Sequence, residues 1–124
     1  MDERPSEERE ENLLYNEAEL ESYRVVRDKL HQSIELNPYV PDAYVLLGNA
    51  YAEIDGDVDT MLKYYDHAIS LDPDNDEFRN VRMAHHLSNG ELDQALIELE
   101  HLERLQSKYA ESMREHYEKE RDGG

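Results

Sequence analysis

The sequence predicts an all-α fold built from antiparallel helix-turn-helix units. Three observations carry this expectation. Between Pro41 and Pro73, apolar residues recur at three- and four-residue steps in two blocks, first Tyr44, Leu47, Gly48 and Tyr51, then Val58, Met61, Leu62, Tyr65, Ala68 and Ile69; this is the spacing of one helix face. Asp55-Gly56-Asp57 separates the blocks with turn chemistry, and a Pro stands on either side. The pattern also repeats. Gly56-Asp57-Val58-Asp59-Thr60-Met61-Leu62 matches Gly90-Glu91-Leu92-Asp93-Gln94-Ala95-Leu96 at an offset of 34, and Ser33-Ile34-Glu35-Leu36-Asn37-Pro38 matches Ala68-Ile69-Ser70-Leu71-Asp72-Pro73 at an offset of 35. Tyr23, Val26 and Leu30 precede Val58, Met61 and Tyr65 by the same 35 positions.

Each element follows from local chemistry. Residues 1–11 are almost wholly charged and read as an acidic tail, with Ser6 suited to cap a helix. Leu13, Leu14, Tyr15, Ala18 and Leu20 then suggest a helix, and Tyr23, Val26 and Leu30 a second one over about 22–36. The repeat spacing favours a turn near Leu20-Glu21-Ser22; nothing there breaks a helix strongly, so a single helix over about 7–36 is the alternative. Pro38-Tyr39-Val40-Pro41 is an extended link, and Pro41 opens the next helix because a first-turn residue has no use for its N–H. Asp72-Pro73 ends the helix after the Gly56 turn. Phe78, Val81, Met83, Ala84 and Leu87 mark a helix over about 76–88. Its register against the central helix is open by one residue, with Met83 and Ala84 matching Leu47 and Gly48 at an offset of 36. Asn89-Gly90 is a turn in which either residue can take positive φ. Beyond it, Leu92, Ala95, Leu96, Leu99, Leu102, Leu105, Tyr109, Met113 and Tyr117 belong either to one long helix reaching about Glu120, or to two helices that break weakly at Gln106-Ser107-Lys108.

A helix-turn-helix unit recurring at about 34 residues resembles the tetratricopeptide repeat family. Leu47-Gly48, Tyr51, Tyr65, Ala68 and Pro73 match its pattern; Tyr44 stands in place of a frequent Trp, and Met61 in place of a small residue. The resemblance implies units over about 12–38, 41–73 and 76–106, an end helix over 107–121, a loose end at 122–124, and stacking of the whole 12–121 domain into a short right-handed superhelix. It also implies a non-catalytic protein-protein interaction module whose first helices line a concave groove for a peptide or helix. Carried over, that groove includes Val45, Asn49 and Ala52 from the central unit and Asn80, Ala84 and Leu87 from the third. An Asn amide both donates and accepts, which suits a peptide main chain, although solvated Asn explains the same residues. The family's carboxylate clamp is not expected, because Val45, Glu77 and Val81 stand where basic residues would be needed. Arg79 and Arg82 read as solvated helix-surface residues. Self-assembly through Tyr109, Met113 and Tyr117, or through exposed array ends, is the rival expectation and would make a homodimer.

Composition narrows the partners. The 124-residue chain carries a net charge of −18, which repels nucleic acid and anionic membrane surfaces and steers basic protein partners inward. Nine Arg against four Lys among so many acids also suits a salt-rich cytoplasm. There is no Cys, so disulfides and thiolate metal sites or nucleophiles are excluded. No apolar run reaches the ~18 residues of a membrane span. The acidic start MDERPSEEREEN does not suit a targeting signal, and a cytoplasmic location is expected.

Catalytic and metal chemistry is not expected, nor any cofactor. Phosphate loops, nucleophile motifs and zinc-binding helix motifs are all missing. Glu98 and His101 have the i, i+3 spacing used in di-iron bundles, but the partner carboxylates are missing. His85 and His86 point about 100° apart on a helix. Asp55-x-Asp57-x-Asp59 resembles the start of a calcium loop, yet Thr60 replaces the required Gly and Asp66 the final Glu.

Overall fold

The computed structural model describes the backbone of residues 6–123 and the side chains of residues 17–123. Among the described residues the chain is all-helical and has no strand: α1 Ser6–Leu36, α2 Pro41–Asp55, α3 Val58–Leu71, α4 Asp76–Ser88, α5 Leu92–Arg104 and α6 Ala110–Arg121. Consecutive helices form hairpins, as a repeat-like chain requires. The contacts fall into two compact units, Met1–Tyr64 and Tyr65–Gly124, with the division inside α3.

In the first unit, α1 is one continuous helix, which corrects the expected turn at 20–22. Leu, Glu and Ala there are all good helix formers. Ser22 Oγ bonds back to the Ala18 carbonyl at 3.1 Å, a bond that a helical Ser makes without leaving the ladder. The tail expected over 1–11 is correspondingly shorter, since residues 6–11 already belong to α1; residues 1–5 of that tail lie outside the described residues.

Val40 is extended ahead of Pro41, and α2 starts at that Pro. The helix ends on Gly56 at φ 64°, where the Gly56 N–H reaches the Ala52 carbonyl at 2.9 Å and the Asp57 N–H the Tyr51 carbonyl at 3.3 Å. A residue without Cβ adopts that left-handed geometry freely. Asp57 then caps α3, accepting from Thr60 N–H at 3.1 Å and from Thr60 Oγ at 2.6 Å. These bonds, the side-chain one foremost, lower the Asp57 pKa. A helix cap thus accounts for the calcium-like spacing. Gly48 lies where α2 crosses α3, and a Cβ there would sit 3.0 Å from the Met61 carbonyl oxygen. Tyr51 stacks on Tyr64 at 5.8 Å and takes a hydrogen bond with His31 at 2.9 Å.

In the second unit, Asn75 caps α4 by accepting from the Phe78 N–H at 3.2 Å. Gly90, not Asn89, takes the positive φ of the following turn, at 70°. Met83, Leu87, Ala95, Leu99, Leu102 and Tyr117 form one buried cluster from α4, α5 and α6. The chain breaks between α5 and α6: Gln106 adopts φ 52°, and the Ser107 N–H returns to the Leu102 carbonyl at 3.0 Å. Ser107 Oγ donates to Asp76 at 2.7 Å and accepts from the Tyr109 N–H at 3.1 Å. Of the two readings of residues 92–120, the turn into a separate end helix is the one realised. Arg114 fastens α6 to α5 through paired bonds to Glu103 at 3.0 and 2.6 Å, which hold the Glu103 pKa down.

Candidate functional site

The first unit carries a cleft of about 340 Å³ between α1 and α2. Tyr23 and Val26 of α1 form one wall, Leu46, Asn49, Ala50, Ala52 and Glu53 of α2 the other, and Met61 lies at its floor. A second hollow of about 440 Å³ runs on along α1 past Ala18, Glu19 and Ser22, and shares Tyr23 and Val26 with the first. Val26 is 46% exposed and Leu46 54% exposed. Both walls thus present an apolar side chain to water. The α1 residues that pack inward are Leu20, Tyr23, Arg27, Leu30, His31 and Ile34, each half-buried. Val26 stands beside that seam, so it adds to the open face rather than to the α1–α2 contact.

The expected groove residues divide. Asn49 and Ala52 line the cleft; Val45 is half-buried on α2 outside the lining. Asn80, Ala84 and Leu87 belong to the second unit. Leu87 is 3% exposed inside the apolar cluster and cannot line an open groove, which corrects that expectation. Asn80 Oδ1 is buried with no hydrogen-bond partner among the described residues. The apolar side of α6 expected to self-associate is also spent internally: Tyr117 is buried, and Met113 packs against the same cluster. Tyr109 precedes α6 half-buried, with Lys108 Nζ 5.2 Å from its ring centre.

The second unit holds a feature that sequence reasoning missed. Glu98 is 1% exposed. Its two oxygens pair separately, one with Arg79 at 3.2 Å and the other with Arg82 at 2.8 Å. Arg79 Nε also donates to the Pro73 carbonyl at 2.8 Å, and Arg82 reaches Asp66 at 2.8 Å. Arg79 is therefore a buried residue, not the solvated one expected. The signal was available: Ala95, Glu98, Leu99 and Leu102 share one helical stripe, and three of the four are apolar. His101 sits beside this cluster and accepts from Arg104 at 2.8 Å. Burial first, then Arg79, Arg104 and Arg82, lower its pKa against the opposing pull of Glu98. With both carboxylate oxygens held by guanidinium groups, Glu98 serves as an ion-pair centre rather than a metal ligand. Among the described residues no three His, Asp or Glu gather closely enough to hold a metal ion.

The Arg79 bond also settles the register. Tyr44 Oη donates to the Pro38 carbonyl at 2.8 Å in the first unit, as Arg79 does to Pro73 in the second. Both pairs are shifted by 35, so Met83 corresponds to Gly48, and the match at 36 is corrected by one residue. No described helix is long and apolar enough to cross a membrane. No protein-family model matches the sequence, and no curated protein matches it.

Proposed function

We propose that this chain is a non-catalytic protein-protein interaction module of the tetratricopeptide-repeat type, which captures a peptide or helix of basic or neutral character at the α1–α2 cleft. One observation carries the reading: that cleft combines exposed apolar walls at Val26 and Leu46 with the amide of Asn49 and the carboxylate of Glu53. Apolar area supplies affinity, an amide supplies main-chain recognition, and a carboxylate at the edge of an acidic protein selects basic flanks. The reading includes a cytoplasmic location.

The test is selection from a displayed random-peptide library, followed by affinity measurement against wild type, Leu46→Asp and Asn49→Ala. Selected peptides should be enriched in Lys or Arg, bind more weakly as salt rises, and lose about tenfold or more with Leu46→Asp. Peptides that bind all three proteins equally would refute the cleft.

A further inference from the structure

We infer that the cleft of the first unit is the open seat of a first helix, and that it takes a basic amphipathic α-helix from a partner protein, laid along α1. This rests on the interaction-module reading and narrows it from a peptide of either form to a helix that completes the unit.

Comparison of equivalent positions shows what is uncovered. Met61 is 6% exposed because α2 crosses over it, so closely that a Cβ at position 48 would sit 3.0 Å from the Met61 carbonyl oxygen. Val26 is its counterpart 35 residues earlier and is 46% exposed. The sequence around Val26 repeats that around Met61; what differs is the helix before it. Ahead of Met61 the chain turns at Gly56, and α2 doubles back over α3. Ahead of Val26 there is no such turn, and α1 runs straight from Ser6. Among the described residues, the face of α1 that a preceding helix would cover is therefore left open at Val26.

The shape fits a helix. Walls from two helices, Tyr23 and Val26 on α1 and Leu46 and Ala50 on α2, make a groove of the kind that takes an amphipathic helix by its apolar face. Ala18 and Ser22 keep the continuation along α1 shallow, so a backbone about 8–10 Å away can reach the surface. The charge selects the occupant. Glu19 and Glu53 line the two hollows, and among the described residues no Lys or Arg does. The α1 sequence of a second copy would bring nine acidic residues against four basic ones, Arg9, Arg24, Arg27 and Lys29, from a chain of net charge −18. Like charges oppose that exchange, whereas a helix rich in Lys or Arg is drawn in.

The probe is a terminally blocked, labelled peptide with the sequence of α2, residues 41–55, carrying D42K, E53K and D55K. α2 is the helix that covers Met61, so its apolar face is matched to a Val26-type surface. Fluorescence anisotropy with the full chain should give saturable binding. The peptide should gain helicity on binding, and affinity should fall at least tenfold with Val26→Asp. Affinity should also fall severalfold from 50 to 500 mM NaCl, and the unsubstituted acidic peptide should bind more weakly. Val26 is already half in water, so Val26→Asp should leave the circular dichroism and the melt of the chain unchanged. Absence of saturable binding, or equal binding to Val26→Asp, would overturn the inference. So would a homodimer in sedimentation equilibrium that Val26→Asp abolishes and salt strengthens, because the occupant would then be a second copy. If library peptides bind in extended form and lose affinity with Leu46→Asp while the helical probe fails, the interaction module stands and the helix seat falls.

Discussion

Glu98→Gln offers the sharpest test of the second unit. The substitution keeps the volume of a side chain that is 1% exposed and removes its charge. Arg79, whose side chain is 10% exposed, then loses its only carboxylate among the described residues; Arg82 keeps Asp66 and is open to water over a quarter of its side-chain surface. Removing one partner of a buried pair typically costs about 3–5 kcal/mol. The Gln carbonyl still accepts a hydrogen bond, and Arg82 remains partly solvated, so the lower end, about 3 kcal/mol, applies. At about 1.4 kcal/mol per tenfold, that is roughly a hundredfold acceleration of amide hydrogen exchange in α4 and α5, read where exchange reports unit opening. Arg82→Gln, which leaves Glu98 paired with Arg79, should cost about 1 kcal/mol or less, in line with a partly exposed pair. Replacing both buried partners, Arg79→Met with Glu98→Leu, should restore much of the loss, because an apolar pair avoids the desolvation of two charges. A Glu98→Gln protein whose α4 and α5 amides exchange within about fivefold of wild type would refute the buried-pair argument, as would Arg82→Gln proving the costlier change.

Three further outcomes follow. Gly48→Ala should lower the melting temperature, because its Cβ would press on Met61 backbone at 3.0 and 3.3 Å; overpacking costs about 1–3 kcal/mol, against the roughly 1 kcal/mol that Ala normally gains over Gly in a helix. Asn75→Ala should cost about 1 kcal/mol through the lost cap on the Phe78 N–H, seen as faster exchange in the first turn of α4. His101 has a folded-state pKa below its usual value of about 6.5, chiefly through burial, so its neutral form is favoured on folding. Its contribution is full above pH 6.5 and is lost as pH falls below it. The melting midpoint should therefore drop between pH 7.5 and 5.5, and drop less in His101→Gln.

Periodicity and punctuation made the helices from Pro41 to Ser88 legible, because the cues are local: a Pro at the start of α2, a Gly at φ 64° after it, a Pro after α3, and a Gly at φ 70° after α4. The weak points were those without such residues. At 20–22 nothing interrupts helix propensity, and the repeat pattern suggested a turn that the backbone does not make. At 106–109 the break depends on Ser107 finding Asp76, 31 positions away, a contact invisible in a local window. Leu87 and Tyr117 looked available because they are apolar residues on amphipathic helices; which neighbour covers them depends on the fold of the whole unit.

What the sequence by itself determined is the all-helical class, the helix boundaries from Pro41 to Ser88 and the acidic charge, since each follows from residue type and interval alone. What the tertiary structure decided is which faces are used up and which remain open. Glu98 became a buried ion-pair centre because α4 placed two guanidinium groups over it. Met61 became core and Val26 surface, at equivalent positions in the repeat, because a helix doubles back over one and not the other. Burial depends on what lies opposite a residue, and that is a property of the folded chain rather than of the residue's own neighbours in sequence.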